Sequence, residues 1–143
     1  MTVTIKDTDM GMAAMLRRFE TLDGATVEAG LFDPVNATKG MRAEKGTRDM
    51  PGRPWLSVAA DTGVPQIVAA SAESIRDVAD GEAPAVALDG VGKAMAKLAR
   101  DVIVDQKVGG PALADSTIDR KGHGRKLEDS GEMLDAIGHE VDV

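Results

Sequence analysis

Only three side chains are aromatic, Phe19, Phe32 and Trp55, and this scarcity limits what the chain can fold into more than any other feature. Aromatic rings supply much of the buried area in an ordinary core. Without them the interior has to be assembled from Ala, Val, Leu, Ile and Met, and the eight methionines suit irregular gaps. There is no cysteine, which excludes disulfides, thiolate nucleophiles and cysteine metal sites. With 143 residues, 43% hydrophobic and 29% charged, the chain suits a single domain, 1–143, that can bury a core without covalent staples. No apolar run approaches the ~20 residues that span a bilayer. Met1–Asp7 lacks the basic and apolar regions of a signal peptide, so the expectation is a protein made in the cytoplasm, with no membrane partner. Seventeen basic against 24 acidic side chains give a net charge of −7, which disfavours non-specific nucleic-acid binding. The same acidity suits a protein past which DNA slides without sticking.

Hydrophobic spacing then places the elements. Val3 and Ile5 alternate with polar residues, predicting a short first strand. Asp7-Thr8-Asp9 supplies helix-start residues, and Met12, Met15, Leu16 and Phe19 follow on one helical face up to the Asp23-Gly24 turn. Ala25–Phe32 alternates, with Val27, Ala29 and Leu31 on one side, and predicts a second strand. Residues 33–53 show no period. Pro34, Gly40, Gly46, Pro51 and Gly52 punctuate them, with Lys39, Arg42, Lys45, Arg48 and Arg53 between, and the reading is a mobile basic arm or long hairpin loop.

Pro54-Trp55-Leu56 opens a helical segment that Gly63 and Pro65 are expected to interrupt, with Val68, Ala72, Ile75, Val78 and Ala79 continuing a face. A further helix is predicted from about Ala83 to Lys107. Its stripe of Leu88, Val91, Met95, Leu98 and Val102 faces either the core or another subunit. Ser116-Thr117-Ile118-Asp119 has the form of a capping box, Arg120–Lys126 reads as a basic turn, and Asp129–Glu132 starts another short helix bearing Met133, Leu134 and Ile137. His139, Val141 and Val143 alternate as a terminal strand. The sum is α+β: a small antiparallel or mixed sheet with helices packed on it and a long extended loop.

Candidate chemistry is sparse. His123 and His139 are not at metal-ligand spacing, Asp7-Thr8-Asp9 lacks the later ligands of a calcium loop, and Gly122-His123-Gly124 lacks the strand and third glycine of a phosphate cradle. Ser130 sits in no Gly-x-Ser-x-Gly elbow and would need His123 or His139 as its base. No catalytic, cofactor or metal-binding residue is assigned.

Three segments, in order, resemble one family. Arg53-Pro54-Trp55-Leu56 is similar to its Arg-Pro-Phe-Leu element, and Leu113–Ile118 with Arg120-Lys121-Gly122 to its Leu-Ala-Pro-Ser-Thr-Ile-x-x-Lys-Gly element. Leu127–Leu134 with Ala136-Ile137 is similar to its Leu-x-Asp-Thr-Gly-x-Met-Leu-x-Ser-Ile ending. The family is that of tailed-bacteriophage neck, or tail-completion, morphogenesis proteins. The likeness runs from Ala25 onward, with Trp55 for Phe, Asp115 for Pro and Ser130 for Thr.

What the resemblance implies is a non-catalytic virion protein at the head–tail junction. It would form a homo-oligomeric ring, hexamer or dodecamer, between the head connector or stopper and the tail tube or tail terminator, with DNA passing through unread. Alternatives are a head-closing stopper, a small cytoplasmic hydrolase using Ser130, and a cytoplasmic binding module left by a prophage. For a ring, the residues expected at subunit or partner contacts are Arg42, Lys45, Arg48, Arg53, Trp55, Arg120, Lys121 and Arg125. Trp55 is equally read as a core residue at a helix start, and Arg53 as a solvated side chain.

Overall fold

A computed structural model describes Thr2, Val3 and residues 8–143. Among these the order is α1 (Met12–Thr21), β1 (Thr26–Leu31), α2 (Pro34–Lys45), α3 (Leu56–Asp80), α4 (Pro84–Val104), α5 (Asp115–Lys121), α6 (Glu132–Asp135) and β2 (Ile137–Asp142). The architecture is α+β, helices on one small antiparallel sheet. The strand expected around Val3 and Ile5 lies outside the described residues apart from Val3, which is exposed.

The predicted stripe on α4 faces inward, and most of the buried positions beside it are small: Ala87, Gly92, Ala96 and Ala99. This is how a core with few rings closes. Alanine and glycine let backbones approach, and α3 answers with Ala59, Gly63 and Ser74. A Cβ at Gly63 would stand 2.7 Å from Leu98 Cδ1, so the two helices touch where Gly63 has no side chain. Ile103 and Ile137 are fully buried and join α4 to β2, each contributing about 2 kcal/mol by burial. Strands β1 and β2 pair in register Thr26↔Asp142 through Leu31↔Ile137, bringing the two halves of the chain together. Val27, Ala29 and Leu31 share the face that packs on α4, as their alternation predicts.

Several expectations need correction. Residues 33–53 are not a structureless arm, because α2 occupies Pro34–Lys45. Asp33 caps it by accepting from Asn36 N–H at 2.8 Å, Pro34 fills the first turn, and Gly46 ends it at φ +77°. A helical period is hard to see because the buried residues of α2 are Gly40 and Ala43, which hydropathy hardly registers. Gly40 has to be small: its Cβ would meet Trp55 Cζ2 at 3.2 Å. Only Gly46–Pro54 remains non-helical, tightened by Thr47 N–H to Met50 O at 2.8 Å.

Gly63 and Pro65 do not interrupt α3, which runs unbroken for 25 residues. Pro65 is exposed, so water can reach the carbonyl that its missing N–H leaves free. Val78 is buried on this helix, whereas Val68 and Ile75, expected on its inner face, are exposed.

The capping box at Ser116 is not used, since α5 starts at Asp115 with Ala114 before it and no side-chain cap. Asp115 in the first turn suits the helix dipole instead. Likewise Gly131, not Asp129, precedes α6.

Candidate assembly interface

Helix α3 is held at both ends by side chains from elsewhere. At its N-terminus the Glu44 carboxylate, from the last turn of α2, accepts from Trp55 N–H at 2.7 Å, Leu56 N–H at 2.9 Å, Ser57 N–H at 3.2 Å and the Ser57 hydroxyl. Partial burial pushes the Glu44 carboxyl up, but the Ser57 hydroxyl and these three amides outweigh it and hold it below its ordinary value. At the C-terminus Arg18 of α1 donates to Val78 O at 2.9 Å and Ala79 O at 3.4 Å. An anion at the start and a cation at the end both favour the helix dipole.

The cap by Glu44 fixes Trp55 and Leu56, the end of the first segment of the family resemblance, Arg53–Leu56. Arg53 N–H donates to Ala43 O at 2.6 Å, and Pro54 O accepts from Gly109 N–H at 2.9 Å. Trp55 then turns inward, with Nε1 donating to Gly40 O at 3.2 Å. The second and third segments close on the same place. Arg53 Nη2 donates to Ala112 O at 3.4 Å, immediately before the second segment, while Leu127 of the third packs against the core. The three segments become walls of one open depression of about 400 Å³, lined among others by Met50, Arg53, Arg120, Lys121, Leu127 and Asp129.

The basic turn is stitched down by hydrogen bonds although Arg120 and Arg125 stay exposed. Gln106 and Lys126 exchange two hydrogen bonds at 3.1 and 2.6 Å, and Lys126 Nζ reaches Gly110 O at 2.8 Å. Arg125 donates to Val104 O at 2.5 Å, at the end of α4, and forms a two-pronged pair with Glu128 at 2.6 and 2.8 Å. That pair raises the Arg125 pKa and lowers that of Glu128. Lys121 Nζ donates to Arg125 O at 3.0 Å.

The expected contact residues therefore divide. Arg42, Lys45, Arg48 and Arg120 are exposed and form no ion pair among the described residues. Lys121 is half-buried on the depression's wall. Arg125 is exposed but engaged within the chain. Of the two readings of Trp55 the core one holds and the contact one is corrected: at 2% exposure the ring fills the space beside Gly40. Arg53 is corrected too: at 9% exposure it lies against Gly110 and Ala112, just before the second segment, instead of in solvent.

Of the other groups considered, Ser130 accepts from Glu132 N–H at 3.4 Å. His123 Nδ1 accepts from Arg125 N–H, and His139 Nε2 meets Asp89 Oδ1 at 2.7 Å. Neither histidine is hydrogen-bonded to Ser130. Lys93, then His139, hold the Asp89 carboxyl below its ordinary value. No cluster of three metal-ligating side chains occurs among the described residues, and no helix among them is long and apolar enough to cross a membrane.

Sequence reasoning missed Glu44 and Arg18, whose roles depend on which helix ends they reach. Comparison with protein-family models, curated proteins and solved structures finds no match.

Proposed function

We propose that this chain is a structural subunit of the neck of a tailed phage, forming a ring that completes the tail end and joins it to the head connector. The observation that carries the reading is the convergence of the three segments resembling the neck family. The first is far in sequence from the other two, which are close neighbours, yet all three form walls of one depression that carries Arg53, Arg120 and Lys121. A shared surface of this kind is what assembly would select, and chemistry on it is not required.

Two further features favour a subunit role. Met41, Leu56, Val64 and Val68 leave apolar side chains on the outside of α2 and α3, from 38% to 61% exposed. Exposed ion pairs contribute only about 0–1 kcal/mol each, so a stable ring needs apolar contact of this sort. The net charge of −7 suits a channel through which DNA passes without binding. In this reading the protein acts in the virion without catalysis or cofactor, after assembly in the host cytoplasm.

The test is to locate the protein on purified particles by gold-labelled antibody and electron microscopy, with a parallel blot. Label at the head–tail junction is the expected result. Particles whose blots lack the protein overturn the proposal.

A further inference from the structure

Two buried side-chain atoms have no hydrogen-bond partner among the described residues, Asn36 Oδ1 and Arg53 Nε. The first belongs to a neutral amide whose Nδ2 is already bonded to Asp33 at 3.0 Å. The second belongs to a cation that cannot lose its proton. Arg53 is 9% exposed, offers five N–H donors, and makes one side-chain hydrogen bond, the 3.4 Å contact with Ala112 O. Among the described residues no carboxylate pairs with it. An uncompensated buried charge is costly, so a guanidinium left this way at the wall of an open depression is a seat for an anion. Asp49 and Asp129 line the same depression and disfavour a doubly charged phosphate. A carboxylate is singly charged and matches the guanidinium fork.

The chain carries the complement on another element. Alternation along the sheet turns Thr26, Glu28, Glu140 and Asp142 away from α4, and all four are exposed. Glu28 lies directly opposite Glu140 in the ladder, where like charges repel. Neither these two nor Asp142 forms an ion pair among the described residues. One copy thus holds a hollow with three cations against two carboxylates, in which Arg53 is paired with neither, and an acidic sheet face lacking a cation.

We propose that the Arg53 hollow of one copy receives a carboxylate from the outer β1–β2 face of the next, Glu140 with Glu28 and Asp142 beside it. The contact joins two different patches, and made head-to-tail it closes into a ring where the rotation between copies allows. It rests on the ring reading above and supplies that ring's joint.

Sedimentation velocity of the full chain at low salt tests it, using the wild type, Arg53→Met, and the double variant Glu28→Gln/Glu140→Gln. The wild type self-associates and does so less as salt rises. Each variant alone associates about 30-fold or more weakly. Mixed in equal amounts the two variants give dimers and nothing larger, because one keeps only the acidic face and the other only the hollow. Arg53→Met also melts no lower than the wild type, since it removes an unpaired buried charge. A wild type that stays monomeric at low salt overturns the proposal, and so do variants that associate like it. Should Arg53→Met fail to fold, the double variant, altered only at exposed positions, decides alone. Label at the junction together with normal association of these variants discards this contact and keeps the neck role.

Discussion

Replacing Glu44 by Ala tests whether a side chain of α2 sets the start of α3. The carboxylate accepts from three successive backbone amides, Trp55, Leu56 and Ser57, at 2.7, 2.9 and 3.2 Å. Loss of a side-chain cap costs roughly 0.5–2 kcal/mol, and loss of a negative charge at a helix N-terminus roughly 0.3–1 kcal/mol. Water can replace part of this at an exposed helix start, so the expected loss is about 2 kcal/mol. At roughly 3 °C per kcal/mol for a chain of this size, Tm at pH 7 falls by about 6 °C. The dependence on pH separates the charge from mere packing. Because the Glu44 carboxyl is held below its ordinary value of 4.5, its stabilisation is whole above that pH. It is lost as pH falls through the lower folded-state value, where the carboxyl protonates in both states. Calorimetric melts of Glu44→Ala and the wild type at pH 7 and pH 3 provide the readout. The Tm gap should be wide at pH 7 and mostly closed at pH 3. Equal Tm at pH 7, or an undiminished gap at pH 3, would refute the assignment of Glu44 as an ionised cap.

Two other substitutions probe the helix pair and the serine. Gly63→Leu drives a side chain into Leu98, whose Cδ1 would already stand 2.7 Å from a Cβ, and should cost about 1–3 kcal/mol in urea unfolding. Ser130→Ala removes a single 3.4 Å contact and should shift stability by less than about 1 kcal/mol while leaving particle assembly intact. A hydrolytic activity present in the wild type and lost in that variant would instead mark Ser130 as a nucleophile.

Local pattern determined much of this protein. The alternation of Val27, Ala29 and Leu31 and the stripe from Leu88 to Val102 gave a strand and a core helix near their observed places, since each buries a face with its own period. Helix α2 escaped that reading, because it buries only Gly40 and Ala43 and shows no hydrophobic period. Gly63 and Pro65 read as breakers because propensity knows nothing of Leu98 opposite, or of the caps at either end of α3. The same divide runs through the candidate site. The three segments are visible as motifs, but their meeting is not, because it depends on contacts such as Arg53 with Ala112 between residues far apart in the chain. Trp55 and Arg53 are enriched types at interfaces, and only packing against Gly40 and under residues 110–114 put them inside. Sequence sets which faces must be covered, because burial of apolar area is read residue by residue. Tertiary structure decides which partner covers them, and so which charge is left waiting for one.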